Sequence, residues 1–260
     1  MAIYDRPTRT LMGEWAKQHV LAGQTFDKAV VVGWFKVNYP KIKSNTVAMH
    51  VESMSINNPL RRHFPAVHAG SGHDLFFKIG PNRFRLWDKE QDPTPRYKRD
   101  FEAAAEALSV VDPDVDESEA ADASESINGS TTFALEHDLR NYLERNLQLI
   151  EPGLEVYEED GIRGVEFPVG GRFIDILARD KHGSYVVIEL KVSRGYDRAI
   201  GQLLRYMGWV AQNMESSQPV RGIIVANEIS ADLRLASTSV PSVELIEYEL
   251  SFNLRPVPRV

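Results

Sequence analysis

Three residues within one stretch, Gly171 to Tyr206, have the types and the spacing for phosphate chemistry: Asp175, Glu189 and Lys191. They lie in two runs rich in Val, Ile, Tyr and Phe, Phe173–Ala178 and Tyr185–Val192, joined by Arg179-Asp180-Lys181-His182-Gly183. Such runs around a turn-forming segment closed by Gly predict a β-hairpin. With the turn centred on His182, Arg179 faces Tyr185, Leu177 faces Val187 and Asp175 faces Glu189. Side chains alternate along a strand, so Asp175, Glu189 and Lys191 project to one side. Like charges directly opposite each other destabilise a sheet. A cation between them resolves the conflict, and Mg²⁺, with Mn²⁺ as a substitute, suits carboxylate oxygens while binding phosphate oxygens alongside. The lysine can then orient or deprotonate an attacking water and stabilise charge developing on a phosphate.

The flanking elements must position these groups. A helix is predicted over Phe133–Leu147, capped by Thr131 or Thr132, with Leu135, Leu139, Tyr142 and Leu143 as its apolar stripe. Glu136 borders that stripe and is the carboxylate placed to lean toward the sheet, with Asp138 as the fallback; Glu144 falls on the far face. Beyond the hairpin, Asp197–Met214 reads as a helix on which Gln202 and Tyr206, four apart, share one face. Further runs predict a buried strand at Val220–Ala226, a short helix at Ala231–Ala236 and edge strands in Val243–Leu254.

Asp175 followed by Glu189-Leu190-Lys191 resembles the metal-binding core of the PD-(D/E)XK nuclease superfamily. Upstream, Leu135-Glu136-His137-Asp138-Leu139 through Ile150-Glu151-Pro152-Gly153-Leu154 looks like the opening helix of the NucS-type endonuclease domain. Downstream, Gln202-Leu203-Leu204-Arg205-Tyr206 is similar to the Gln-x-x-x-Tyr helix of RecB-like and NucS-like members. The resemblance implies a restriction-endonuclease-like mixed sheet flanked by helices and a metal held by Asp175, Glu189 and the carbonyl of Leu190. Glu136, Lys191, Gln202 and Tyr206 complete the implied catalytic set. Arg172, Arg194 and Arg205 are further candidates for positioning phosphates.

The chain has 260 residues and no cysteine, which excludes a disulfide framework and thiolate metal sites. No apolar run is long enough to span a bilayer, and the first residues lack the apolar core of a signal peptide. A cytoplasmic location without membrane attachment is therefore expected. The net charge of −7 is unevenly spread. Residues 1–100 carry 16 Lys and Arg against 9 Asp and Glu, whereas residues 101–132 carry 9 acids and no base. The latter segment, made largely of Ala, Asp, Glu and Ser, reads as an acidic flexible linker. The expected organisation is an α/β (α+β) two-domain chain: a basic domain at 1–100, the linker at 101–132 and a nuclease domain at 133–260.

In the basic domain, helices are expected after Thr8 or Thr10, after Thr25 with Ala29, Val30, Trp34 and Val37 inward, and after Ser44. A hairpin of Leu75–Ile79 and Arg83–Trp87 follows across Gly80-Pro81-Asn82. Three helices and a two-stranded wing is an order that looks like a winged helix-turn-helix, whose third helix enters the major groove. Lys41, Lys43, Asn45, Thr46, His50, Arg61, Arg62, Lys78, Arg83 and Arg85 are then the candidate DNA contacts. The expected function is a Mg²⁺-dependent endodeoxyribonuclease acting on double-stranded DNA, in restriction and defence or in repair. A non-catalytic DNA-binding regulator of nuclease-like fold and an RNA- or single-strand-directed nuclease stand as alternatives. A double-strand break needs two sites, so a homodimer is expected, with Val243–Phe252 as its candidate surface.

Overall fold

The computed structural model describes residues 4–100, 128–170, 172–192, 199–216 and 218–250. The acidic linker, apart from the beginning of a helix at Asn128, lies outside them, as does Arg194.

The N-terminal unit runs α1 (Thr8–His19), β1 (Thr25–Asp27), α2 (Lys28–Asn38), α3 (Ser44–Ser53), β2 (Phe76–Lys78) and β3 (Arg83–Leu86). Its small antiparallel sheet has the order β1-β3-β2. Thr25 opens a strand rather than capping a helix; Asp27 is the cap of α2, its Oδ1 accepting the Ala29 amide at 2.8 Å. The helix thus starts two residues later, and it buries Val31 and Phe35, while Val30 and Val37, expected inward, are exposed. The core is aromatic, with Phe26 against Trp15, Phe76 and Phe84 at ring separations of 5.1 to 5.9 Å.

The C-terminal unit begins with α4 (Asn128–Leu143), which starts before Thr131 and Thr132 and so takes its cap from neither; its side chains are described from Glu136 onward. Then come β4 (Glu155–Val156), β5 (Glu158–Glu159), β6 (Ile162–Arg163), β7 (Val165–Val169), β8 (Arg172–Arg179), β9 (Tyr185–Lys191), α5 (Ala199–Asn213), β10 (Arg221–Ala226), α6 (Ala231–Ser237) and β11 (Val243–Glu247). A six-stranded mixed sheet has the order β11-β10-β9-β8, with β7 and β4 sharing the outer edge of β8. The β8–β9 pair is antiparallel, and its register joins Arg179 to Tyr185 and Leu177 to Val187. Asp180 braces the turn by accepting the amides of His182 and Ser184 at 2.9 Å and pairing with Arg221 at 3.0 Å. The strands β9, β10 and β11 run parallel, crossed by α5 and α6. On one face Leu203, Tyr206, Met207 and Val210 of α5 pack on Leu177, Val187 and Ile224. On the other, Leu139 and Leu143 of α4 pack on Ile176, Ile188 and Val225, whereas Tyr142 is exposed. Gly164 lets β7 close on β8, since a Cβ there would stand 2.1 Å from the Leu177 carbonyl oxygen.

The two units are packed together. Met49, Phe64 and Val67 of the N-terminal unit belong to the same buried cluster as Tyr157, Ile162 and Phe167. The β5–β6 hairpin, turned at Asp160-Gly161 with both φ positive, presses against α1 and α3. Asp160 Oδ2 accepts the Thr8 amide at 3.1 Å and stands 3.4 Å from His50 Nε2. Glu159 lies 3.4 Å from Lys43 Nζ, which also donates to the Tyr185 hydroxyl at 3.3 Å. Although burial works against its charge, bonding to His50 and Thr8 holds the Asp160 carboxyl below its ordinary range. Replacing Asp160 by Ala leaves a helix amide without its acceptor and removes the carboxylate beside buried His50, at a cost of about 2 kcal/mol. Thermal melting of Asp160→Ala is expected well below the wild-type midpoint; an unchanged midpoint would show that the hairpin does not secure the two units.

Candidate active site

The β8–β9 hairpin delivers the three residues singled out by their spacing. Asp175 lies one step beyond the Ile176–Ile188 pair, and its Oδ2 accepts the Leu190 amide at 2.8 Å. Glu189 is 1 % exposed; its Oε1 receives Lys191 Nζ at 2.7 Å, while its Oε2 is buried with no hydrogen-bond partner. Burial and the neighbouring Asp175 carboxylate push the Glu189 carboxyl upward. Burial also raises Asp175, against the Leu190 amide, and the charge of Glu136 adds to that rise. Burial works against the Lys191 ammonium, but Glu189, Asp175 and Glu136 together carry it above its ordinary value. Lys191 therefore keeps its proton in this arrangement.

Glu136 on α4 stands near enough for its charge to act on all three groups. Glu144, two turns on, pairs instead with Arg163 at 3.6 Å. On α5, Gln202 Nε2 donates to the Tyr206 hydroxyl at 3.2 Å. Tyr206 is buried, and burial together with the charge of Glu189 raises its phenol, which keeps its proton at neutral pH. Arg205 is exposed, its guanidinium 5.5 Å from the Tyr206 ring, and Arg172 is exposed at the start of β8.

Among the described residues no cluster of three or more His, Asp or Glu side chains forms a ready metal cage. The donor set nonetheless fits Mg²⁺, which takes one or two carboxylates and fills the rest of its shell with water and phosphate. The orphaned Glu189 Oε2 is the particular sign of it, because a buried carboxylate oxygen without a donor is unfavourable unless a cation completes it.

The N-terminal candidates divide sharply. Thr46 and His50 are 1 % and 4 % exposed, and Arg61 is buried, paired with Asp74 at 2.6 Å. These three were expected to touch DNA, and the packing of α3 and the following segment removes them from any surface. Lys43 is held by Glu159, Lys78 by Glu52 at 2.8 Å and Arg85 by Asp92 at 2.6 Å, while Asn45 is half-buried beside Met49. Lys41, Arg62 and Arg83 are exposed. Sequence reasoning passed over Arg140 and Glu166. Arg140 is buried, bonded to His137 at 2.6 Å and Glu166 at 3.0 Å, and its charge acts on Asp175. Glu166, left-handed at φ 46° and joined to His63 at 3.0 Å, sits opposite Asp175 in the β7–β8 register. Only the β-type run around Glu166 was readable in advance.

Residues 135–245 match the family described as the Endonuclease NucS C-terminal domain. Most of the C-terminal unit is thus similar to the C-terminal domain of the NucS endonucleases. Residues 7–86 match a domain family of unknown function, DUF7669. Endonuclease NucS of Methanopyrus kandleri is 32% identical over 127 residues, covering 48% of this chain and 43% of that protein. Endonuclease NucS of Methanocaldococcus jannaschii is 33% identical over 95 residues, covering 36% and 34%. A repair endonuclease from Pyrococcus abyssi, known as a crystal structure, overlaps half of each chain with 26% identity and a TM-score of 0.37. The chain spans less than half the length of the two NucS proteins.

The raised carboxyls make a pH-dependent statement about the metal-free protein. A group whose folded pKa lies above its unfolded value binds more protons when folded, so stability falls as pH rises past the unfolded value. For Glu189 that loss begins near 4.5 and continues upward. Glu189→Gln is thus expected to melt above the wild type in chelator, with a gap that widens from acid to neutral pH. A gap that narrows over that range would contradict the burial of an ionisable pair.

Proposed function

We propose that the chain is a divalent-metal-dependent DNA endonuclease whose catalytic groups are Asp175, Glu189, Lys191 and Glu136. The observation that carries this is the buried pair of raised carboxyls, one oxygen of Glu189 left without a donor, set beside Lys191. The NucS-type match of residues 135–245 supports the same reading. Asp175, Glu189 and the Leu190 carbonyl would hold Mg²⁺, for which Mn²⁺ can substitute; when bound, such an ion supplies charge neutralisation at the phosphoryl oxygens and activation of water.

The chain's own groups do the rest. Lys191, held 2.7 Å from Glu189 and cationic, is placed to donate to a phosphoryl oxygen as charge develops there. Glu136 reinforces the anionic field that keeps Lys191 protonated. Tyr206 keeps its proton, and with Gln202 it orients water or the phosphate backbone from the α5 side. Arg172 and Arg205 stand exposed as backbone contacts.

Duplex DNA is the proposed substrate, because residues 1–100 carry a surplus of seven positive charges. The N-terminal helix, strand, helix, helix, hairpin order and its β1-β3-β2 sheet support a winged-helix reading of that unit. Its DNA-facing cations are proposed to be Lys41, Arg62 and Arg83 rather than the groups of α3. Two-fold pairing through the edge strand β11 would give two centres, one for each strand of the duplex. No helix among the described residues is long and apolar enough to cross a membrane.

Asp175→Ala and Glu189→Ala are each expected to lower Mg²⁺-dependent cleavage of duplex DNA by about three orders of magnitude, equivalent to ~4 kcal/mol of lost charge stabilisation. Lys191→Ala is expected to stop turnover while Mg²⁺ still raises the melting temperature. Wild-type cleavage rates in either carboxylate variant would remove the basis for the assignment.

A further inference from the structure

A cavity of about 370 Å³ opens where the two units meet, walled by Arg62, His63 and Lys98 on one side and His137, Arg140 and Arg163 on the other. Arg145 adds a further cation, and the facing acids are Glu144 and Glu166. Both acids are already engaged. Glu166 joins His63 Nδ1 and Arg140 at 3.0 Å each, and Glu144 lies between Arg163 at 3.6 Å and Arg145 at 3.9 Å. His63 Nε2 accepts from Arg62 Nε at 2.7 Å, so its own proton is on Nδ1, facing Glu166. The four guanidinium groups of Arg62, Arg140, Arg145 and Arg163 against two carboxylates leave the cavity cationic.

Arg140 adds a specific demand. It is 7 % exposed, and its Nε is buried without an acceptor. A buried charged donor left unmatched is costly, and an anion rich in acceptor oxygens is what matches it. The cavity also adjoins the catalytic centre: Arg140 lies one helical turn beyond Glu136 on α4, and its charge acts on Asp175. Guanidinium groups converging from two sides are the arrangement that grips phosphate.

We propose that this junction cavity binds a backbone phosphate of the substrate strand beyond the one being cleaved, with Arg62 and Lys98 of the N-terminal unit completing a site begun by His137, Arg140 and Arg163. It rests on the nuclease reading above, and it gives the N-terminal unit a role in holding the strand at the catalytic centre. The ligand chemistry, a phosphate oxyanion, is shared by a DNA phosphodiester and by free phosphate, and the two sources separate experimentally.

The test uses the full chain carrying Glu189→Gln, so that binding is read without cleavage. Anisotropy of labelled duplex DNA over a salt series compares this parent with the same chain carrying Arg62→Ala and Lys98→Ala. Both side chains are exposed, so the melting temperature should match the parent's and report intact folding. Loss of one phosphate contact should weaken affinity roughly tenfold near physiological salt and make the logarithmic salt slope shallower by about one. Unchanged affinity and slope would overturn the proposal. Calorimetry with inorganic phosphate forms the second arm. Phosphate binding that the double substitution abolishes, with DNA affinity and slope unaffected, would assign the cavity to a free anion and overturn the DNA assignment. Cleavage by the wild-type chain is assayed separately, so failure of the nuclease reading and failure of this site are told apart.

Discussion

Everything at the candidate site depends on placing Glu189 in the sheet's interior beside Asp175. Two neighbouring carboxylates, one of them 1 % exposed, oppose folding by both desolvation and repulsion. The hydrophobic layers around them must outweigh that. Leu177, Val187, Ile224 and Leu203 are fully buried on the same face, and each such side chain contributes about 1.5–3 kcal/mol on burial. Lys191 neutralises one oxygen and the Leu190 amide engages Asp175, yet one oxygen of Glu189 stays unanswered. The sheet is thus built to retain an unfavourable pair, which is how a binding site for a cation differs from a structural core.

The second constraint is the junction. An acidic hairpin tipped by Asp160 holds the N terminus of α1 and the inner face of α3, and Met49, Phe64 and Val67 join the core of the C-terminal unit. A helix whose Thr46, Met49 and His50 are buried cannot also lie in a major groove. The N-terminal unit is therefore packed onto the C-terminal one through α3, and of its exposed cations Arg62 and Lys98 line the cavity between the two units.

Much of this was legible in the sequence where chemistry and periodicity agree. The alternation of β-branched residues around Asp180 and Gly183 located the hairpin and its register, because a slip of one residue would have turned Val187 and Leu177 away from the core. Glu136 was singled out by its place on the edge of an apolar helical stripe, and its charge acts on Asp175 and Glu189. Two kinds of feature were hidden. Long-range burial cannot be read from local pattern, so Arg61 and His50 read as surface groups although Asp74 and Asp160, which stand beside them, lie 13 residues on and in the other unit. The short strands β4 to β6 have too few residues to show a period, although Asp160-Gly161 is a strong turn pair whose positive φ values were open to inference. Likewise β1 is only three residues long, and missing it displaced the inward face of α2.

The central claim is that Asp175 and Glu189 form a cation site. Calorimetric titration of the metal-free full chain with Mn²⁺, at neutral pH and without DNA, tests it most directly. Heat of binding that saturates with a single site, accompanied by proton release from the raised carboxyls and absent in Asp175→Asn, is the expected result. No binding in the wild type, or equal binding in the variant, would contradict the account.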